Sequence, residues 1–197
     1  LSVGAVWCVS QVARELGIEE ALGKDFQGKL AMWQVIARVV DQGSRLSGVR
    51  LSQVHAVSGV LDMKRGFDEN DLFGNLAWLA ENQGKIEQKL FELRRGEKKP
   101  KLFLYDVTSS YLEGEQNHFG EYGYNRDGKK GKKQIVIGLL CDEQGEAVST
   151  EVFAGNTQDT QTFIPQVRKV AERFGCKDVT IVGDRGMIKT LHIEQLP

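Results

Sequence analysis

Residues 102–108 read Leu-Phe-Leu-Tyr-Asp-Val-Thr, an apolar run interrupted by one acid. The run is too short for a buried helix and is rich in strand-forming residues, which predicts a β-strand covered on both faces. Burying a lone carboxylate costs several kcal/mol unless a cation, a metal or hydrogen bonds compensate it. Asp106 is therefore expected to have a partner or to lie at the solvent end of the strand.

A second apolar run shows the same pattern of residues. Residues 179–186 read Val-Thr-Ile-Val-Gly-Asp-Arg-Gly, an apolar strand that ends in an acid. If the two strands are parallel neighbours in one sheet, Asp106 and Asp184 meet at one edge of it. Two ionised carboxylates about 4 Å apart repel each other by roughly 4 kcal/mol at an effective dielectric constant of about 20. Such a pair indicates a site for a divalent metal.

Composition narrows the class of protein. With 197 residues, of which 41% are hydrophobic, the chain can bury one core or a core plus a smaller helical unit. A net charge of −1 gives no general affinity for nucleic acid. Residues 126–133, however, hold five basic residues and one acid, so a local basic patch is expected.

The cysteines and histidines argue against a disulfide-stabilised protein and against a zinc-binding protein. The three cysteines form no Cys-x-x-Cys pair and the three histidines show no zinc spacing, which predicts a reduced, cytosolic protein. No run approaches about 18 apolar residues and no signal segment opens the chain, so no membrane association is expected. The chain begins with Leu1 and ends with Pro197, which suggests a piece of a longer polypeptide.

Residues 1–97 are predicted to form an all-helical unit. Apolar residues recur at helical spacing in residues 6–16, 29–41 and 51–61. Asp68 is expected to cap another helix, with an apolar stripe of Leu72, Phe73, Leu76, Leu79 and Ala80, and a further helix is expected after Gly84. Residues 10–18 are similar to the first half of a helix-turn-helix, although an ordinary amphipathic helix is the favoured interpretation. A charged linker, residues 94–100, ends this unit.

Residues 98–197 are predicted to be an α/β domain. Strands 134–141 and 147–153 flank the turn 142–145, a helix capped by Asp159 or Thr160 runs to about Phe174, and a short helix is expected at 187–195. Two hairpin strands followed by a right-handed crossover give a mixed sheet in which Asp106 and Asp184 converge. Residues 108–132 lack clear periodicity, which indicates a functional loop or an extension that covers the sheet edge.

Four sequence motifs, in the order in which they occur, resemble those of a known protein family. They are Tyr-Asp-Val-Thr-Ser-Ser-Tyr at 105–111, Gly-Tyr-Asn-Arg-Asp-Gly-Lys at 123–129, Val-Phe-Ala-Gly-Asn-Thr at 152–157 and Gly-Asp-Arg-Gly-Met at 183–187. Together they resemble the D-D-E insertion-sequence transposases, whose catalytic core has the ribonuclease H-like fold. The resemblance is close over residues 102–188, whereas the helical front half fits that family only in general character.

The resemblance implies an enzyme that cleaves DNA and transfers strands, with Asp106 and Asp184 as the first two catalytic, metal-binding acids. It also implies two Mg²⁺ or Mn²⁺ ions bridged by Asp106, with Asp184 and a third acid, a Glu, each completing one ion. That Glu is expected beyond Pro197, because Glu113, Glu115 and Glu194 do not stand in suitable settings. The chain by itself is therefore expected not to catalyse.

The implied partners are DNA, both transposon ends and target, and a second copy of the protein in the DNA complex, so the protein is expected to associate with the nucleoid. We assign the basic residues around the second motif to contacts with the DNA backbone. These are Arg126, Lys129, Lys130, Lys132 and Lys133. The alternative is a solvated basic turn without a partner.

Two other functions remain open. A phosphohydrolase with a nucleophilic Asp would want an acid at positions 108 and 188, where this chain has Thr108 and Ile188. A transposase fragment that only binds DNA or a partner is the other alternative. Taken singly, each Asp could also be a turn former or helix cap, as Asp184 could be for the helix that follows it.

Overall fold

The structure is a computed structural model that describes residues 1–96, 98–114, 116–124, 131–176, 178–184 and 186–187. The chain divides into two compact units, Leu1–Arg94 and Arg95–Pro197. The sequence had placed this boundary between residues 97 and 98. Among the helices of the described residues, none is both long and apolar enough to cross a membrane.

The first unit is helical, as predicted. Its helices are α1 (Gly4–Glu15), α2 (Ile18–Leu22), α3 (Phe26–Val40), α4 (Arg45–Val54), α5 (Val57–Val60) and α6 (Glu69–Arg95). Helix α3 is the centre of the core, where Leu30, Trp33 and Ile36 are fully buried. It starts at Asp25, whose carboxylate accepts a hydrogen bond from Gly28 N at 2.7 Å and so satisfies one free donor of the first turn.

Two details of this unit differ from the prediction. Gly84 does not divide two helices: α6 runs through it, since one glycine among good helix formers costs only about 1 kcal/mol. The predicted apolar stripe was also too wide, because Phe73 and Leu76 are exposed and the polar Asn75 is buried. Asn75 fits there because it accepts a hydrogen bond from Gln34 Nε2 at 2.8 Å and donates one to Gln27 O at 2.9 Å.

The second unit is a mixed α/β domain, which confirms the predicted fold class. Its elements are β1 (Leu102–Tyr111), β2 (Gln134–Asp142), β3 (Ala147–Ala154), α7 (Asp159–Glu172) and β4 (Thr180–Gly183). The sheet order is β3-β2-β1-β4, with β1 antiparallel to β2 and parallel to β4. This arrangement is consistent with a ribonuclease H-like fold. The cap of α7 is Gln158, not Asp159 or Thr160, in a capping box with Gln161. The helix predicted at 187–195 lies outside the described residues except for Met187.

The two faces of the sheet differ. Phe103, Tyr105 and Val107 are buried, and the Tyr105 ring lies 6.3 Å from that of Phe163 on α7. We call this the covered face. The residues that alternate with them form the open face, where four apolar side chains remain 39% to 47% exposed. These are Leu104, Leu139, Val152 and Val182. The prediction that β1 is covered on both faces was therefore wrong.

Gly138 on β2 is required by the packing of the covered face. A Cβ at this position would overlap the Tyr105 hydroxyl and would stand 3.0 Å from two of its ring carbons. We expect Gly138→Ala to lower the free energy of unfolding by about 1–3 kcal/mol, as overpacked cores do. Urea unfolding measures this. Adding Tyr105→Phe should recover part of the loss, and Gly114→Ala, with nothing within 4 Å of its Cβ, is the matched control. An unchanged free energy in Gly138→Ala would contradict the packing described.

Glu151 on β3 ties α7 to the covered face. Its Oε2 accepts hydrogen bonds from Lys169 Nζ at 2.8 Å and Gln166 Nε2 at 2.7 Å. Burial raises the pKa of Glu151, but these two hydrogen bonds and the charges of Lys169 and Arg173 outweigh it, so the pKa lies below its ordinary value. A lowered folded-state pKa stabilises the fold above the unfolded-state pKa, near 4.3, and this contribution is lost as the pH falls through the folded-state pKa.

We therefore expect Glu151→Gln to destabilise the domain by about 1 kcal/mol at neutral pH, a modest value because the carboxylate is partly exposed. The difference from the unsubstituted protein should shrink below about pH 4. Urea unfolding at neutral and acidic pH tests this, with Glu172→Gln on the same helix as the control. A difference that does not change with pH would show that the carboxylate charge contributes nothing.

Candidate active site

The pairing of β1 with β4 determines where the two acids lie. Leu104 is paired with Val182 and Tyr105 with Gly183 in a parallel register. Continuing this register by one residue sets Asp106 beside Asp184, on neighbouring chains that run about 4.8 Å apart in a sheet. Both residues are exposed. The observed pairing ends at Gly183, and its extension by one residue is what puts the two acids next to each other.

Each acid has a local anchor. Asp106 Oδ1 accepts a hydrogen bond from Val107 N at 2.8 Å, and the residue alternates with the buried Tyr105 and Val107, so it belongs to the open face. Asp184 begins a turn in which its carbonyl oxygen accepts a hydrogen bond from Met187 N at 2.9 Å. Because the Met187 side chain is buried, this turn is fixed to the domain.

The phenol of Tyr105, the residue before Asp106, is not part of the chemistry of the site. Burial raises the pKa of Tyr105 to about 12, so the side chain stays protonated at physiological pH. Its ring packs under α7 on the covered face, on the other side of the sheet from Asp106. Tyr105 is therefore a core residue that positions the strand, and it is not an acid or base of the site.

The donor set fits a hard divalent cation. Within the described ranges, no group of three or more His, Cys, Asp or Glu side chains is assembled as a metal site. Two carboxylates are nevertheless enough for Mg²⁺, which keeps several waters and is commonly held by one or two carboxylates together with substrate phosphates. On the open face the partly exposed apolar side chains of Leu104 and Val182 precede the two acids by two residues each.

Comparison with protein families identifies the second unit. The sequence profile of the transposase DDE domain matches residues 97–197. The chain belongs to this family. Comparison with curated proteins gave no match, and comparison with solved structures gave none either. The resemblance stated from the four motifs is thereby confirmed.

The structure describes two of the five basic residues that we assigned to DNA contacts in this transposase domain. Lys132 is exposed and its Nζ lies 2.6 Å from Glu113 Oε2, and Lys133 is partly buried beside it. Exposed ion pairs contribute at most about 1 kcal/mol, so this contact costs little to break. Arg126, Lys129 and Lys130 lie outside the described residues.

Sequence reasoning missed the residues that fix the loop before β2. The Gln134 side chain is buried, and its Nε2 donates hydrogen bonds to Tyr124 O at 3.0 Å and Gly155 O at 2.9 Å. A Cβ at Gly123 would overlap Gly155 O, so these two glycines allow the closest approach of the backbones. The available signal was a glycine in each of the second and third motifs, outside the predicted turns.

Proposed function

We propose that the second unit is the catalytic core of an insertion-sequence transposase that cleaves DNA and transfers strands by metal-dependent phosphoryl transfer. Asp106 and Asp184 are the first two acids of its D-D-E triad. The observation that supports this best is the parallel register of Tyr105 with Gly183, which sets the two acids side by side at the carboxyl end of β4. The family match supports the same reaction class.

The side chains suit this chemistry for physical reasons. An Asp places its carboxylate one bond closer to the backbone than a Glu, so a carboxylate on a paired strand is held with little freedom. Two Mg²⁺ or Mn²⁺ ions, when bound, supply Lewis-acid activation of a water or a 3′-hydroxyl and stabilise the leaving oxygen. Asp106 would be shared between the ions, and Asp184 would hold one of them. A third acid, a Glu other than Glu113, Glu115 and Glu194, would complete the other.

The open face explains how a substrate as wide as DNA reaches the acids. Asp106 is exposed in the middle of a strand, and Asp184 is exposed at the end of its neighbour. A polyanion approaching two carboxylates is repelled unless cations intervene, which is why lysines and divalent ions belong to the same proposal. Transposon ends and target DNA are the proposed partners, bound by two copies of the protein beside the chromosome.

Two alternatives are weighed against this proposal. The phosphohydrolase needs an acid two residues after Asp106, and the open face carries Thr108 there. The family match also favours the transposase over it. A fragment that binds DNA without catalysis would have the same fold, and only metal binding and cleavage distinguish it.

Metal binding tests the acidic pair in this chain. We expect Asp106→Asn and Asp184→Asn each to weaken Mn²⁺ binding by at least about tenfold, because each removes a charged ligand. Isothermal titration calorimetry with MnCl₂ measures this. Asp178→Asn is the matched control, since Asp178 is an exposed Asp just before the opposite end of β4.

In a protein that also carries the third acid, Asp106→Asn should reduce strand cleavage by roughly a thousandfold, which corresponds to the several kcal/mol that metal ions contribute. DNA binding should change by less than about tenfold. Cleavage that survives the substitution would refute the catalytic role of Asp106.

The salt dependence of DNA binding tests the proposed role of the basic residues. Each phosphate contact contributes about 0.9 to the slope of log K against log salt for duplex DNA. Replacing Arg126, Lys129, Lys130, Lys132 and Lys133 by Gln should therefore flatten this slope by as much as about 4.5, measured by fluorescence anisotropy with a labelled duplex. Lys98→Gln with Lys101→Gln, near the opposite end of β1, is the control. An unchanged slope would identify the basic segment as solvated surface.

A further inference from the structure

The loop of residues 119–124 is held rigidly although it has no regular secondary structure of its own. Phe119 O accepts a hydrogen bond from Gly155 N at 2.9 Å. Glu121 and Gln134 exchange two backbone hydrogen bonds, at 3.1 Å and 2.9 Å. The buried Gln134 side chain then holds Tyr124 O, so the loop is fixed at its beginning, its middle and its end. Such a density of bonds is unlike that of a mobile surface loop.

Two tyrosines project from this rigid loop into solvent. Tyr122 is 63% exposed and Tyr124 is 83% exposed, although aromatic side chains are among the largest apolar surfaces that a chain can bury. Since the backbone beneath them is fixed, the rings start from anchored positions. Rigid aromatic groups that are exposed lose little conformational entropy when a flat ligand binds.

The tyrosines line an open groove that borders the candidate active site. The groove has a volume of about 480 Å³, within the range of ligand sites. Its remaining lining comes from the glycine between the two tyrosines, the segment that leads into α7, the start of α7 and the turn after Asp184. These residues are Gly123, Asn156, Thr157, Gln158, Asp159, Thr160 and Gly186. A Cβ at Gly186 would lie 3.7 Å from Asp184 Oδ2, so this end of the groove lies beside the second acid.

Tyr122 also lines a second groove of about 530 Å³, together with Lys132, Lys133 and Glu113, whose carboxylate pairs with Lys132. The two grooves therefore share Tyr122 and differ in charge. Two lysines outnumber the one carboxylate of the second groove, which suits a phosphate, whereas the groove that holds Asp159 suits an uncharged group. A nucleotide, with its charged phosphate and its neutral flat base, matches this division.

We propose that Tyr122 and Tyr124 stack on an unpaired DNA base next to the phosphate at the acidic pair, while the same strand's backbone reaches Lys132 and Lys133. The base must be unpaired because the faces of a base inside a duplex are already covered by its neighbours. Stacking on aromatic side chains tolerates any base, so this site recognises an open strand end and not a sequence. The inference rests on the proposed function and names the form of its substrate.

Fluorescence titration of the chain tests the proposal with two DNA probes. One is a blunt duplex, and the other carries a three-nucleotide overhang that contains 2-aminopurine. We expect the overhang probe to bind about fivefold to a hundredfold more tightly, as stacking energies imply, and its 2-aminopurine fluorescence to be quenched. Tyr122→Ala with Tyr124→Ala should abolish both effects, whereas the paired Phe substitutions should retain them. Because both side chains are largely exposed, the variants should fold, and thermal unfolding checks this.

Three outcomes would overturn the proposal. They are equal affinity for the two probes, equal losses in the Ala and Phe variants, which would indicate hydroxyl hydrogen bonds instead of stacking, and no binding of either probe. None of these outcomes alters Mn²⁺ binding at Asp106, because the tyrosines take no part in it. Failure of this inference is therefore distinguishable from failure of the proposed function.

Discussion

The parallel pairing of β1 with β4 is the interaction on which the candidate site depends. It comprises four residue pairs, from Leu102 with Thr180 to Tyr105 with Gly183, and is extended by the hydrogen bond from Thr180 N to Lys101 O at 2.8 Å. Parallel strands cannot be joined by a tight turn, so the intervening hairpin and α7 are what allow β4 to return beside β1. Without this return the two acids would belong to unconnected parts of the domain.

The two faces of the sheet have different roles, and this difference follows from the pairing of β1 with β4. The covered face provides stability, through the aromatic contact of Tyr105 with Phe163 and the buried contacts of Lys169. The open face provides access, and it leaves Leu104 and Val182 partly exposed beside the acids. Apolar surface left in water contributes nothing to folding, so the fully buried side chains of the covered face contribute more of the free energy that holds the acids in place.

The sequence predicted most of the elements, because strand runs, turn residues and helical periodicity are local signals, and it predicted the mixed sheet in which β4 returns beside β1. The sequence did not predict that one face of the sheet is open, because a continuous apolar run has the same pattern whether one or both faces of the strand are covered. It also failed for Gln134, whose side chain holds residues 124 and 155 and so acts through contacts far apart in the chain. The burial of Asn75 depended on partners 41 and 48 residues away, which periodicity cannot reveal.

The residues around Asp106 show how the packing of the core also determines where the acids lie. Adjacent residues on a strand point to opposite faces, so Tyr105 enters the core because Asp106 leaves it. A slip of one residue in the register of β1 would bury the carboxylate under α7, at a cost of several kcal/mol, and would expose the ring. Gly138 accommodates the Tyr105 ring in the observed register, and a side chain there would collide with it. The core therefore selects the one register in which the acids face solvent, and the geometry of the candidate site follows from residues that never contact a substrate.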